Sequence, residues 1–131
     1  MSQEGPPVLL IAEDDEAVRE ELTNLLTGAG YLVHAAAHGA EAIEVLRRGV
    51  RPHAIVIDLA MPVMNGWRFW DWIQESSFKN VPVVIFTASG LSQGSFGAPV
   101  RVIQKGRNPQ DLLDALSSEI SKGHAKAPAA T

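Results

Sequence analysis

Residues 8–16 read VLLIAEDDE: five apolar residues followed by four consecutive acids, Glu13 to Glu16. A short apolar run without polar interruption suits a strand buried on both faces, and such strands belong to parallel sheets covered by helices on either side. The acids at its end raise a separate question. Neighbouring like charges repel, so clustering them at a strand end calls for a cation, or for a helix N-terminus that favours negative charge.

Outward from this run the pattern turns helical. Val18, Leu22, Leu25 and Leu26 recur at spacings of three and four, and the helix should stop at Gly28 or Gly30. YLVHAAA (31–37) reads as a second strand, and AEAIEVLRRG (40–49) as a helix closed by Gly49. AIVIDL (54–59) is a third buried strand carrying Asp58 near its end. A loop with Pro62 and Gly66 leads into a helix from about Trp67 to Glu75. VPVVIFTAS (81–89) and VRVIQKG (100–106) are the remaining strands, and PQDLLDALSSEI (109–120) is a last amphipathic helix. Strands alternating with helices imply an α/β three-layer sandwich around a five-stranded parallel sheet. Residues 1–6 read as an N-terminal extension, 7–121 as one domain, and the Ala/Pro/Lys-rich stretch 122–131 as a flexible tail or linker.

Composition narrows the function. The 131 residues are 46% apolar and 20% charged, enough for one domain with a core. There is no cysteine, which excludes disulfides and thiolate metal sites and fits a reducing compartment. The formal charge of −4, with no basic stripe or aromatic-interleaved basic patch in the sequence, argues mildly against direct nucleic-acid binding. No apolar run is long enough to span a bilayer, and MSQEGPPV has neither the basic start nor the apolar stretch of a secretory signal. The expected location is the cytoplasm. His34, His38, His53 and His124 have no metal-ligand spacing and read as structural or solvated.

In a parallel sheet, ligands bind outside the carboxyl ends of the strands. The first strand delivers Glu13, Asp14 and Asp15 there, the third Asp58, the fourth Thr87, and the fifth Gln104 and Lys105. Crowded carboxylates must share a proton or bind a cation, and oxygen donors without His or Cys select Mg²⁺. A carboxylate beside Mg²⁺, flanked by a hydroxyl and an ammonium, is equipped to accept a phosphoryl group. Asp15 and Glu16 read instead as helix-start acids.

Residues 7 to about 121 resemble the receiver domain of bacterial two-component response regulators. The resemblance rests on the acidic pair Glu13-Asp14, the loop Asp58-Leu-Ala-Met-Pro-Val-Met-Asn-Gly66 with its D-x-x-M-P-x-M-[DN]-G pattern, the step Thr87-Ala88, and Lys105. It implies a flavodoxin-like fold with strand order 2-1-3-4-5. It also implies that Asp58 accepts a phosphoryl group from a sensor histidine kinase, a phosphotransfer protein or a small phosphodonor. Glu13, Asp14, Asp58 and the backbone carbonyl of Ala60 would hold Mg²⁺, while Thr87 and Lys105 would contact the phosphoryl group. The domain would then be a signalling switch rather than a turnover enzyme, acting on an output partner that the sequence does not name.

Three features depart from the family pattern. Val102 stands at the switch position, where an aromatic ring usually follows the threonine inward. Gly106 replaces the proline that usually follows the lysine. The segment from Ala88 to Gln104 is about one helical turn shorter than usual and Gly-rich, so a fourth helix there should be short, frayed or missing. By the resemblance, Ala60 and Ser89, two residues after the acceptor and the threonine, offer no side chain to position an attacking water, which implies self-hydrolysis at an ordinary uncatalysed pace or slower. Trp67 is expected half-buried and Trp72 exposed, the two together forming part of a partner or homodimer face.

Other functions fit less well. An aspartyl-phosphate phosphatase resembles this site but places a second aspartate where Ala60 stands. A flavin or nucleotide module needs an amide-donating Gly/Ser/Thr-rich loop after the first strand, where EDDE repels phosphate. A degenerate receiver acting as a phosphorylation-independent interaction module would need only the fold.

Overall fold

The computed structural model describes residues 5–88, 100–106 and 108–126, with side chains to Lys122. Five strands, β1 (Val8–Ala12), β2 (Leu32–Ala36), β3 (Ala54–Ile57), β4 (Val83–Thr87) and β5 (Arg101–Gln104), form one sheet in the order β2-β1-β3-β4-β5. All four pairings are parallel, in the order that the resemblance implies. The helices are α1 (Glu16–Gly28), α2 (Gly39–Arg47), α3 (Gly66–Gln74) and α4 (Pro109–Lys126). The expected short helix between the fourth and fifth strands falls on residues 89–99, outside the described residues, as does Ser89.

The uninterrupted apolar strands follow from two cores. Alternate residues of β1, β3 and β4 point to opposite faces, as the period of two requires. Leu10, Ala12, Ile55, Ile57, Val83 and Ile85 meet Ile43 and Leu46 of α2 and Phe69 and Ile73 of α3. Leu9, Ile11, Ala54, Val56 and Val84 meet Leu22 and Leu26 of α1 and Leu112 and Leu116 of α4. A charged residue at any of these strand positions would be buried without water. Polar groups are therefore confined to the strand ends, and the parallel directions bring those ends to one edge.

One helix end and one tryptophan differ from the sequence expectation. The helix expected over 109–120 continues to Lys126, running through Gly123 and meeting no proline before Pro128, although Ser121 to Lys126 carry no apolar stripe. Trp72, expected on the surface, is half-buried, stacked on Phe78 with ring centroids 6.3 Å apart. Trp67, expected half-buried, is 39% exposed.

Candidate functional site

Each polar group at the C-terminal sheet edge is held by an extension of a strand ladder. The Glu13 N–H donates to the Ala36 carbonyl at 3.0 Å, the Asp58 N–H to Ala12 at 2.9 Å, and the Lys105 N–H to Thr87 at 2.8 Å. Thr87 itself ends β4 and is buried. The side chains thus converge because their backbones are fixed by the sheet, with Glu13, Asp58 and Lys105 each placed one residue beyond a strand. Gly106, next to it, adopts φ +85°, a conformation closed to proline and costly for any other L-residue. The glycine that departs from the family pattern is therefore the residue this turn requires.

The resulting cluster is dense in charge. Carboxylate oxygens of Glu13, Asp14 and Asp58 lie within 4.8 Å of one another; Glu13 and Asp58 are 1% and 4% exposed, and Asp14 faces solvent. Lys105 Nζ sits 2.8 Å from Glu13 Oε1 and 3.4 Å from Asp58 Oδ2, so it bridges the two buried acids and leans toward Glu13. Glu13 Oε2 accepts from the Asp15 N–H at 3.1 Å, and Asp58 Oδ1 from the Ala60 N–H at 3.3 Å. Asp15 is the N-cap of α1, its Oδ1 accepting from the N–H groups of Ala17 and Val18 at 3.0 and 3.2 Å, and Glu16 opens the helix. The run of four acids divides as the spacing suggested.

One ammonium against three carboxylates leaves the cluster negative, and the consequence falls on Asp58. Burial, reinforced by the Glu13 charge, pushes its carboxyl up to about 6, although Lys105 and the Ala60 N–H pull the other way. Burial also draws the Lys105 ammonium downward, but the adjacent Glu13 and Asp58 outweigh it and raise the lysine above its ordinary value. The donors are hard oxygens with unspent negative charge, which fits a small divalent cation such as Mg²⁺.

Arg19 also belongs to this site, and the sequence reading passed over it. Its Nη1 donates to the Glu13 carbonyl at 2.8 Å and more weakly to Asp14 at 3.4 Å, clamping the backbone of both acids. The cue was available: side chains in the first turn of a helix lean back toward its N-terminus, and Arg19 lies in the first turn of α1. Gly66 closes the site from below. A Cβ there would stand 2.5 Å from the Asp58 carbonyl and 2.7 Å from Leu59 Cα, so the start of α3 passes against the acceptor strand only without a side chain. Val102 pairs with Ile85 in the sheet and packs partly buried against the core on the α2/α3 side.

The comparisons with known proteins agree with this geometry. Residues 9–117 match the response regulator receiver domain. Response regulator MprA of Mycobacterium leprae is 38% identical over an alignment covering 86% of this chain and 58% of its own length. Protein Rrf1 of Nitratidesulfovibrio vulgaris is 35% identical over 83 residues, covering 63% of this chain and 59% of its own. The chain spans less than two thirds of the length of these curated relatives. Among solved structures, chemotaxis protein CheY4 of Vibrio cholerae superposes with a TM-score of 0.79 at 28% identity, covering 88% of this chain and 99% of that one. With its sheet order, acidic cluster and family match in agreement, the chain belongs to the receiver-domain family of the response regulators of two-component systems.

Proposed function

We propose that the domain is a phosphoryl-accepting switch with Asp58 as its acceptor. The observation that carries this is the convergence of Glu13, Asp14 and Asp58 within 4.8 Å beside the Lys105 ammonium. An Asp58 carboxylate oxygen attacks the phosphorus of a phosphohistidine on a sensor kinase or phosphotransfer protein. The P–N bond breaks and its electron pair leaves with the imidazole. Glu13, Asp14 and Asp58, with the Ala60 carbonyl, would hold Mg²⁺, which when bound neutralises phosphoryl oxygens.

Lys105 gives this chain's own contribution to that neutralisation. It already bridges Glu13 and Asp58, and its raised pKa keeps it cationic at neutral pH. The Thr87 hydroxyl at the end of β4 is the donor for one phosphoryl oxygen. Arg19 holds the acid-bearing backbone still. The Ala60 methyl offers no base for water, which favours a long-lived phosphoryl group. The switch then acts by changing affinity for an output partner in the cytoplasm, and the chain turns over no substrate of its own. With Val102 at the switch position, that change proceeds without rotation of an aromatic ring.

The test is mass spectrometry of the intact chain after incubation with acetyl phosphate. Modification of Asp58 is expected with Mg²⁺, and its loss with a chelator and in Asp58→Asn. An unmodified Asp58 in excess Mg²⁺ and phosphodonor would reject this function and leave a phosphorylation-independent receiver.

A further inference from the structure

At the opposite edge of the sheet, residues far apart in sequence assemble an aromatic-interleaved basic patch. Arg47, the last residue of α2, lays its guanidinium 5.9 Å from the centroid of the Trp72 ring. Trp72 stacks on Phe78 at 6.3 Å and 24°, and Arg51 covers the Phe78 ring at 5.5 Å. The result is a four-layer ladder, Arg47–Trp72–Phe78–Arg51, between the C-terminal end of α2 and the segment that follows α3. Arg48 and Lys79 adjoin it in sequence, and all four basic residues are exposed.

Among the described residues these cations lack counterions. The ion pairs of the described residues are those of Lys105 with Glu13 and Asp58, and of Arg101 and Lys122 with Glu119. Among the described residues, no carboxylate comes within 4.0 Å of Arg47, Arg48, Arg51 or Lys79, although Glu44, Asp71 and Glu75 lie on or beside the same two helices. In a chain of net charge −4 this is an unneutralised basic surface. Among the described residues, the one hydrogen bond from either ladder arginine is a long one, Arg51 Nη1 to the Val50 carbonyl at 3.4 Å.

We propose that the ladder docks a carboxylate-rich segment of a protein partner. A guanidinium lying over a ring spends its flat face on the ring and keeps its N–H edge for oxyanions, which it grips in pairs. The aromatic stack holds both arginines in place, so less freedom is lost on binding. A nucleic acid suits the patch less well. Trp72 and Phe78 are half-buried and already engaged with each other and with the arginines, leaving little open ring face on which a base could stack. The ladder lies away from Asp58, and the proposal does not rest on phosphoryl acceptance.

NMR titration with a hexaglutamate peptide tests it, followed at the arginine Nε–H and Trp72 indole resonances. Saturable shifts confined to Arg47, Arg51, Trp72 and Phe78 are expected, weakening as salt is added. R47Q/R51Q, checked by its melting curve, should lower affinity about tenfold or more, and R47K/R51K, which keeps the charge but not the fork, should not restore it fully. The proposal is overturned if the shifts are scattered or survive in R47Q/R51Q, or if R47K/R51K binds as tightly as the parent. It is likewise overturned if a single-stranded oligonucleotide of equal charge binds the same residues more tightly than the peptide.

Discussion

Two residues, Val63 in the loop between β3 and α3 and Gly66 at the start of α3, show how close to its steric limits the site is built. Gly66 is needed for space: a methyl group would meet the Asp58 carbonyl at 2.5 Å, Leu59 Cα at 2.7 Å and Ile57 Cγ2 at 2.8 Å, and the first two are backbone atoms that cannot rotate away. Gly66→Ala is therefore expected to destabilise the fold by roughly 1–3 kcal/mol, the usual cost of overpacking, read as a lower denaturant midpoint. An unchanged midpoint would mean that the loop gives way more easily than its contacts indicate. Val63 is the opposite case. It has φ +65°, costly for a β-branched residue, and its side chain is 76% exposed and so gains little by burial. Strain of that kind is worth about 1–3 kcal/mol, and the added freedom of an unfolded glycine takes back about 0.5–1 kcal/mol. Val63→Gly should then raise the midpoint by an amount equivalent to roughly 1 kcal/mol, without changing the slope of the transition.

At the scale of elements, what could be read from the sequence followed a simple division. Strands and site acids were legible because burial on both faces forbids charge within a strand and leaves it at the ends, as in VLLIA followed by Glu13 and Asp14. The N-cap role of Asp15 was legible for a similarly local reason. What escaped depends on contacts between elements. Arg47 meets Trp72, and Arg51 meets Phe78, only because α2 and α3 pack side by side, and no local pattern announces that pairing. The last turns of α4 escaped because they carry no apolar period. The turn from β5 to α4 lies between the two cases. Gly106 was visible as a departure, but its purpose emerged only with φ +85°. Gly106→Pro, though it restores the residue usual in the family, should cost about 1–3 kcal/mol here, because proline is held near −65°. It should also slow phosphorylation of Asp58, since the turn fixes Lys105. Gly106→Asn, which tolerates a left-handed backbone, should do less harm in both assays.

For the whole molecule, the acidic cluster makes stability depend on pH in an unusual direction. The Asp58 carboxyl titrates near 6 in the fold, against 3.8 ordinarily, so between those values the folded chain holds a proton that the unfolded chain has released. Stability contributed by this group is fully present below pH 4 and is lost as pH rises through 6, a change of about 3 kcal/mol. Lys105 works the other way but outside this range: its raised pKa stabilises the fold at neutral pH, and that contribution disappears only above its ordinary value of 10.5. A divalent cation binds the ionised carboxylates and not the protonated one, so it returns the lost stability where Asp58 is ionised. Melting curves should show this as a pair of trends. In chelator, the melting temperature of the parent should fall, relative to Asp58→Asn, between about pH 4 and pH 6. With millimolar Mg²⁺ that fall should shrink, and the stabilisation by Mg²⁺ should grow over the same interval. Asp58→Asn removes both the titrating group and one donor, so its metal response should be weak and nearly flat with pH. A Mg²⁺ effect equal at pH 5 and pH 7, or one retained in Asp58→Asn, would detach the metal from Asp58 and place it on the outer acids alone.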